Sequence, residues 1–353
     1  MQTNPKTASV GAQDKLLGIE CARGIAASMV VFYHAARHVM ADVGFLPMGN
    51  IWQFGHAGVD FFFVLSGFII FFVHGKDLGR PSGIGHYVER RFTRIYPLYW
   101  FAVAIVLGLA YLSPRLTMPS LGFVMQSLTL LPHAGDTLVG VAWTLQHEVL
   151  FYFLFAIAIL NARLGAAVFV FWLMLIFLNG YNATLFSGPL ASRALSMFNV
   201  EFFFGMLAAY VVRKNKLPMA QWLLVCGAMS FLGFAAAEYW GALDGYGPLA
   251  RWAYGLSSMV MVLGLGSGAK LGGGRSSFLV VLGSASYSIY LLHVFAIGVI
   301  YKLILMLGLP AFLPTWAVFL TLVAGVILTT VLLSRLVEYP LMKLTRRLIT
   351  NRA

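Results

Sequence analysis

Arg23 and His34 sit inside one apolar run, LGIECARGIAASMVVFYHAARH at 17–38. On a helix that spacing advances about 1100°, about 20° beyond three full turns, so both side chains share a face, about 16 Å apart along the axis. An arginine in hydrocarbon costs several kcal/mol unless it looks onto protein or water, which marks that face as functional by default. An imidazole is the common group for taking a proton from a hydroxyl, and a carboxylate beside it orients the ring. Asp60, in VDFFFVLSGFII, and Glu148, in WTLQHEVLFY, could supply that carboxylate. A structural tie between helices is the other role open to each of them.

A different chemistry is on offer at Glu89-Arg90-Arg91-Phe92-Thr93-Arg94. Arg90, Arg91 and Arg94 can grip phosphates through bidentate hydrogen bonds, although basic clusters beside a membrane span also follow from topology alone. Tyr152 lies one turn beyond Glu148 on the same face, within hydrogen-bond reach. Trp143 opens that run and also suits a membrane interface. His293 follows a serine-rich stretch, Ser284-Ala285-Ser286-Tyr287-Ser288, whose small residues let helices pack closely. It is either a core histidine bonded to a neighbour or, with Trp143 and Tyr152, part of the surface that meets substrate. Glu201 reads as a carboxylate paired inside the bundle. Lys302, Arg335 and Glu338 read as side chains that snorkel to the surfaces.

The scaffold for these groups follows from composition. The chain has 353 residues, 60% hydrophobic and 10% charged, far less charged than a soluble domain of this size. The expected fold is an all-α, polytopic membrane helix bundle of about ten transmembrane helices. The apolar runs are 17–38, 54–74, 95–113, 142–162, 165–181, 194–213, 220–240, 250–268, 282–307 and 315–337. Residues 118–131 are apolar but short, between Pro119 and Pro132, and are expected to be interfacial or re-entrant. The first run contains Glu20 and Arg23, unlike the core of a cleaved signal peptide, and is expected to be retained. Cys21 and Cys226 lie in apolar segments without metal-like spacing, so neither a disulfide framework nor a metal site is expected.

In a soluble protein a formal charge of +12 would suggest nucleic acid; here the positive-inside rule accounts for it, and no nucleic-acid partner is expected. With both termini cytoplasmic, basic residues in cytoplasmic segments outnumber those outside roughly four to one. The outside set is Arg37, Arg115, Arg193 and Arg251. The expected organisation is a cytoplasmic tail over 1–16, a transmembrane domain over 17–338 and a basic cytoplasmic tail over 339–353. In that orientation His34 lies about 6 Å, and Asp60 and Glu148 each about 9 Å, from the outer ends of their spans. Ionisable groups that converge at one depth usually line a cavity.

These residues together resemble the acyltransferase-3 family of integral-membrane O-acyltransferases, and within it the exopolysaccharide-production branch. The resemblance rests on Arg23 to His34, GHAGVDFFFVLSGFII at 55–70, RRFTRIYPLYW at 90–100, WTLQHEVLFY at 143–152 and SASYSIYLLH at 284–293. It implies transfer of an acyl group, usually acetyl from acetyl-CoA, to a sugar hydroxyl at or across the membrane. Under it His34 matches the family's essential histidine, Arg23 its paired arginine, Arg91 and Arg94 the donor-side pair, and Trp143 and Glu148 the fourth-span motif. Thr144 stands where many members have Ser and keeps the hydroxyl.

No tightly bound cofactor is implied; acetyl-CoA or another acyl-CoA is a donor substrate. The implied partners are acyl-CoA, a glycan acceptor, the lipid bilayer, and polysaccharide synthesis or export proteins, at a bacterial inner membrane. Many relatives append a soluble esterase-like domain; without one, the membrane domain alone or with partners is expected to handle the acceptor. Two mechanisms stay open for His34, general base or covalent acyl carrier. A proton-coupled transporter using His34, Asp60 and Glu148 as relay groups is the rival class, and a structural member of an export complex is a third.

Overall fold

The computed structural model describes residues 5–45, 49–112, 117–132, 136–181, 186–215, 217–271 and 277–350, with backbone alone for 5–16, 181 and 350. Arg115, Lys216, Arg275 and Arg352, all counted in the charge asymmetry, lie outside the described residues, as do the side chains of Lys6 and Lys15. The described elements are all helical. In chain order they are α1 (Pro5–Val43), α2 (Gly58–His74), α3 (Ile84–Leu112), α4 (Leu121–Leu128) and α5 (Trp143–Leu160). Then come α6 (Ala162–Tyr181), α7 (Pro189–Ala194), α8 (Phe198–Lys214), α9 (Ala220–Tyr239) and α10 (Pro248–Ser267). The last are α11 (Phe278–Ser284), α12 (Ser286–Met306), α13 (Thr315–Leu333) and α14 (Tyr339–Thr350). A 3₁₀ segment, Gly49–Ala57, leads into α2, and a π turn, Ser334–Glu338, joins α13 to α14.

Each of the ten apolar runs coincides with helix, because a segment crossing hydrocarbon must satisfy its backbone internally. Among the described residues eight helical stretches are long and apolar enough to cross a membrane. The helices over 17–38 and 250–268 fall outside that set, although α1 and α10 are long enough. They carry Arg23 and Arg251, and in α10 Arg251, Ser257 and Ser258 are buried in protein. The apolar stretch 118–131 forms α4, too short to span. It is tied to α3 by hydrogen bonds from Tyr99 to the Ser127 carbonyl (2.7 Å) and from the Trp100 indole to that of Leu128 (3.1 Å).

The chain divides into two compact units. Unit 1 takes Met1–Phe72 and Glu201–Ser334; unit 2 takes Val73–Val200 and Arg335–Ala353.

Unit 1 is organised around α1. Ala27, Val31 and Ala35 pack against Ile289 and Ile297 of α12 and Phe319 and Leu322 of α13. Ile19, Ala22 and Ala26 pack against Phe61 and Val64 of α2, Ala208 of α8 and Leu265 of α10. With apolar partners on two sides, α1 holds a fixed azimuth, and that azimuth decides what His34 meets. Two close crossings depend on glycine. A Cβ on Gly67 would strike the Phe202 carbonyl, joining α2 to α8, and one on Gly283 would strike the Glu20 carbonyl, joining α11 to α1.

Unit 2 holds α3 to α7 and α14. Tyr87, Phe151 and Phe155 form its buried aromatic centre, and the Tyr87 and Phe155 rings stack at 5.8 Å. The expected basic tail is largely the helix α14. It is anchored to α3 by Arg94, whose Nη1 donates to Glu338 Oε1 at 2.9 Å. Glu338, expected to snorkel outward, is buried because it serves that arginine.

Candidate functional site

The candidate residues divide between the units. Unit 1 holds Arg23, His34, Asp60 and His293; unit 2 holds Arg90, Arg91, Arg94, Trp143, Glu148 and Tyr152.

In unit 1 the half-exposed His34 has its ring 5.0 Å from that of His293 and 4.9 Å from that of Tyr33. His293 is fully buried, with Nδ1 2.7 Å from the Tyr290 carbonyl and 3.2 Å from that of Ile289. A carbonyl only accepts, so Nδ1 carries the proton of the neutral ring and Nε2 keeps its lone pair. That Nε2 is buried without a hydrogen-bond partner among the described residues. The rings packed beside it are those of His34 and, at 6.1 Å, Tyr290. Arg23 lies half-buried three turns below on α1.

Asp60, expected beside His34, is committed elsewhere. It is fully buried and accepts from Arg251 Nη1 at 2.5 Å, while Nη2 of the same arginine donates to the Gly245 carbonyl. Depth along a helix fixes height but not azimuth, and the first turn of α2 aims Asp60 at α10. Arg251, counted above as an outside loop charge, is likewise a buried partner in α10. Glu201 lies against Asp60, fully buried, so that two carboxyl groups face one another beside Arg251.

A second polar group in unit 1 escaped the sequence reading. His56 Nε2 lies 3.0 Å from Glu238 Oε1, and the Tyr254 hydroxyl donates to Glu238 Oε2 at 2.6 Å. The His56 ring stacks on Tyr246 at 4.6 Å, and the Tyr246 and Tyr33 hydroxyls meet at 2.5 Å. Tyr246 lies between the spans with its ring largely exposed, and its hydroxyl is pushed above the ordinary phenol range first by the desolvation of that end of the side chain and then by the Tyr33 hydrogen bond. Gly245 makes the cluster possible: a Cβ there would occupy the space of the Glu238 carboxylate. Glu238 near the end of α9 and His56 just before α2 share a depth, the signal that singled out His34. Applied to every ionisable residue, the depth comparison would have found them.

In unit 2 the Tyr152 hydroxyl donates to Glu148, as their spacing on α5 suggests. The Arg91 guanidinium lies over the Tyr152 ring, 5.6 Å from its centroid, and its Nε is buried without an acceptor among the described residues. Tyr87 donates to the Tyr152 carbonyl at 3.0 Å and meets the His74 ring edge-on at 5.0 Å. His74 Nδ1 lies 2.9 Å from Asp77, and its buried Nε2 has no partner among the described residues. Arg90 is exposed, while Arg94 is taken by Glu338. Trp143 packs on Phe198 at 5.2 Å and edge-on to His147 at 5.7 Å, so its ring is fixed by protein neighbours. Glu148, the other expected partner of His34, is thus engaged with Tyr152 inside unit 2.

Among the described residues no group of three His, Cys, Asp or Glu side chains is disposed to hold a metal ion. The two clusters differ in chemistry. Unit 1 offers imidazole lone pairs and phenols, which suit hydroxyl groups. Unit 2 offers the exposed Arg90 guanidinium and the unused Arg91 Nε–H, which suit anions.

Comparison with known proteins bears on what those clusters do. A family model described as an acyltransferase domain (Acyl_transf_3) matches residues 16–335. The exopolysaccharide production protein ExoZ of Rhizobium meliloti (strain 1021) is 31% identical over 272 residues, covering 74% of this chain and 83% of that protein. Protein 2 in picA locus of Rhizobium radiobacter is 32% identical over 94 residues, 26% of this chain and 44% of that one. No solved structure matches the chain.

Proposed function

This chain belongs to the acyltransferase-3 family of membrane O-acyltransferases, and we propose that it acts in exopolysaccharide production by moving an acetyl group from acetyl-CoA to a sugar hydroxyl. The acceptor is an exported polysaccharide or its lipid-linked precursor, at a bacterial inner membrane with both chain termini in the cytoplasm. The likeness to an exopolysaccharide production protein over most of both chains supports the process. The observation that carries the chemistry is the His34–His293 pair, an accessible imidazole beside a buried one whose free nitrogen is an acceptor.

In this reading the His34 ring, 5.0 Å from that of His293, turns when the acceptor binds so that one N–H donates to His293 Nε2, which leaves the other His34 nitrogen as the base. That nitrogen takes the proton of the acceptor hydroxyl while the oxygen attacks the thioester carbonyl. The carbon–sulfur bond breaks and the CoA thiolate leaves. General-base action of this kind contributes about 10²–10⁴-fold. His293 takes the orienting role expected of Asp60 or Glu148. Donor binding falls to unit 2, where the exposed Arg90 and the unused Arg91 Nε suit CoA phosphates. Arg94 acts there by fixing α3 against Glu338.

The test uses protein in nanodiscs with labelled acetyl-CoA and oligosaccharides cut from the host cell's own de-acylated exopolysaccharide. Alkali-labile label should appear in the saccharide together with free CoA. Label that never reaches the saccharide, from acetyl-CoA or any other acyl-CoA, would sink the proposal.

A further inference from the structure

His56 has one nitrogen anchored and one available. Glu238 is a carboxylate that only accepts, so the 3.0 Å contact fixes the proton on His56 Nε2. Nδ1 then carries a lone pair, and no donor among the described residues reaches it. The side chains of His56 and Glu238 are 9% and 5% exposed, so the dyad is held within the fold while its edge stays open. Tyr254 occupies the second carboxylate oxygen and keeps Glu238 from turning away.

The surroundings of the dyad suit a sugar. Tyr246 stacks on His56 through one face and is nevertheless 58% exposed, leaving its other face open. Aromatic faces of this kind pack against the CH faces of pyranose rings, while a fixed lone pair accepts from a ring hydroxyl. The Tyr33 ring stands near both histidines, 4.9 Å from His34 and 5.8 Å from His56. The two imidazoles therefore border one region at the end of unit 1 where α1 and α9 finish and α2 and α10 begin. Arg37, over the other part of the Tyr33 ring at 5.6 Å, adds a donor at the rim.

We propose that His56 and Tyr246 form the acceptor-sugar subsite, with His56 Nδ1 accepting from a non-reacting hydroxyl and the Tyr246 ring packing on the pyranose. Glu238 and Tyr254 are positioning residues that fix the His56 tautomer. The inference rests on the acyltransfer reading for its name, but its ligand is a neutral, polyhydroxylated saccharide whether or not transfer occurs. A second hydroxyl held at His56 while the first meets His34 would determine which position on the sugar is modified.

The experiment measures binding of the same de-acylated oligosaccharides to nanodisc protein without donor, then transfer with labelled acetyl-CoA. His56→Ala should weaken saccharide binding roughly tenfold or more, the scale of losing one well-placed hydrogen bond, and raise the acceptor KM with the acetyl-CoA KM unchanged. Tyr246→Ala, at a position 58% exposed, should weaken binding similarly, whereas Tyr246→Phe should keep it. Wild-type binding lost in His56→Ala and Tyr246→Ala but without any transfer would sustain the subsite and overturn the acyltransfer reading. Saccharide binding equal in wild type and both alanine variants would overturn the subsite, as would its absence from wild type in the presence of measurable transfer or without it.

Discussion

Units 1 and 2 each hold a histidine on a carboxylate, His56 on Glu238 and His74 on Asp77, yet the neighbours make them different instruments. Around His56 stand the phenols of Tyr33, Tyr246 and Tyr254, and the nearest buried cation, Arg251, is consumed by Asp60 and the Gly245 carbonyl. Around His74 stand Arg90 and Arg91; Arg91 Nε lacks an acceptor among the described residues, while His74, its Nδ1 proton directed at Asp77, is itself neutralised as a donor. A region whose one buried cation is already paired can receive a neutral hydroxyl without displacing that pair. A region with unspent donors gains by receiving an anion. The same histidine–carboxylate pair thus stands among phenols in one unit and among guanidinium groups in the other.

The comparison breaks most decisively at His34. His34→Ala should lower acyl transfer about 10³-fold, within the range of a lost general base, measured as label entering saccharide. Cutting the charge balance of unit 1 comes next. Arg251→Leu leaves Asp60 buried without its cation and should destabilise the protein by about 3–5 kcal/mol, read from thermal or denaturant unfolding in detergent. Arg91→Ala tests the other side: CoA affinity should fall roughly tenfold, about 1.4 kcal/mol, with saccharide binding unchanged. Gly67→Ala forces a methyl against the Phe202 carbonyl and should cost about 1–3 kcal/mol of stability through overpacking. Arg94→Gln leaves the buried Glu338 without this cation, and with Arg94 itself partly exposed it should cost about 1–3 kcal/mol in the same unfolding measurement.

Much of the fold is legible in the sequence because hydrocarbon permits so few backbone solutions. Every apolar run long enough to span coincides with a helix, including α1 and α10 with their internal arginines. The positions of His34 and Asp60 along their helices are legible too, since rise per residue is fixed. What height cannot give is direction around the axis. Asp60 turns toward Arg251, which the sequence presents as a loop residue, and His34 turns toward His293, which reads as a core residue. Glu238 and His56 are separated by most of the chain, and only tertiary packing, with Gly245 leaving space, brings them together. Tyr152 and Glu148 share one helix, and there the spacing alone suggests the hydrogen bond that forms.

The central claim is that hydroxyl activation resides at His34 and donor binding does not. Its most direct test is a paired measurement on His34→Ala in nanodiscs, recording acetyl-CoA binding and acetyl transfer to saccharide on one preparation. The account predicts wild-type affinity for acetyl-CoA with transfer reduced to background. Transfer at the wild-type rate in that variant would contradict it.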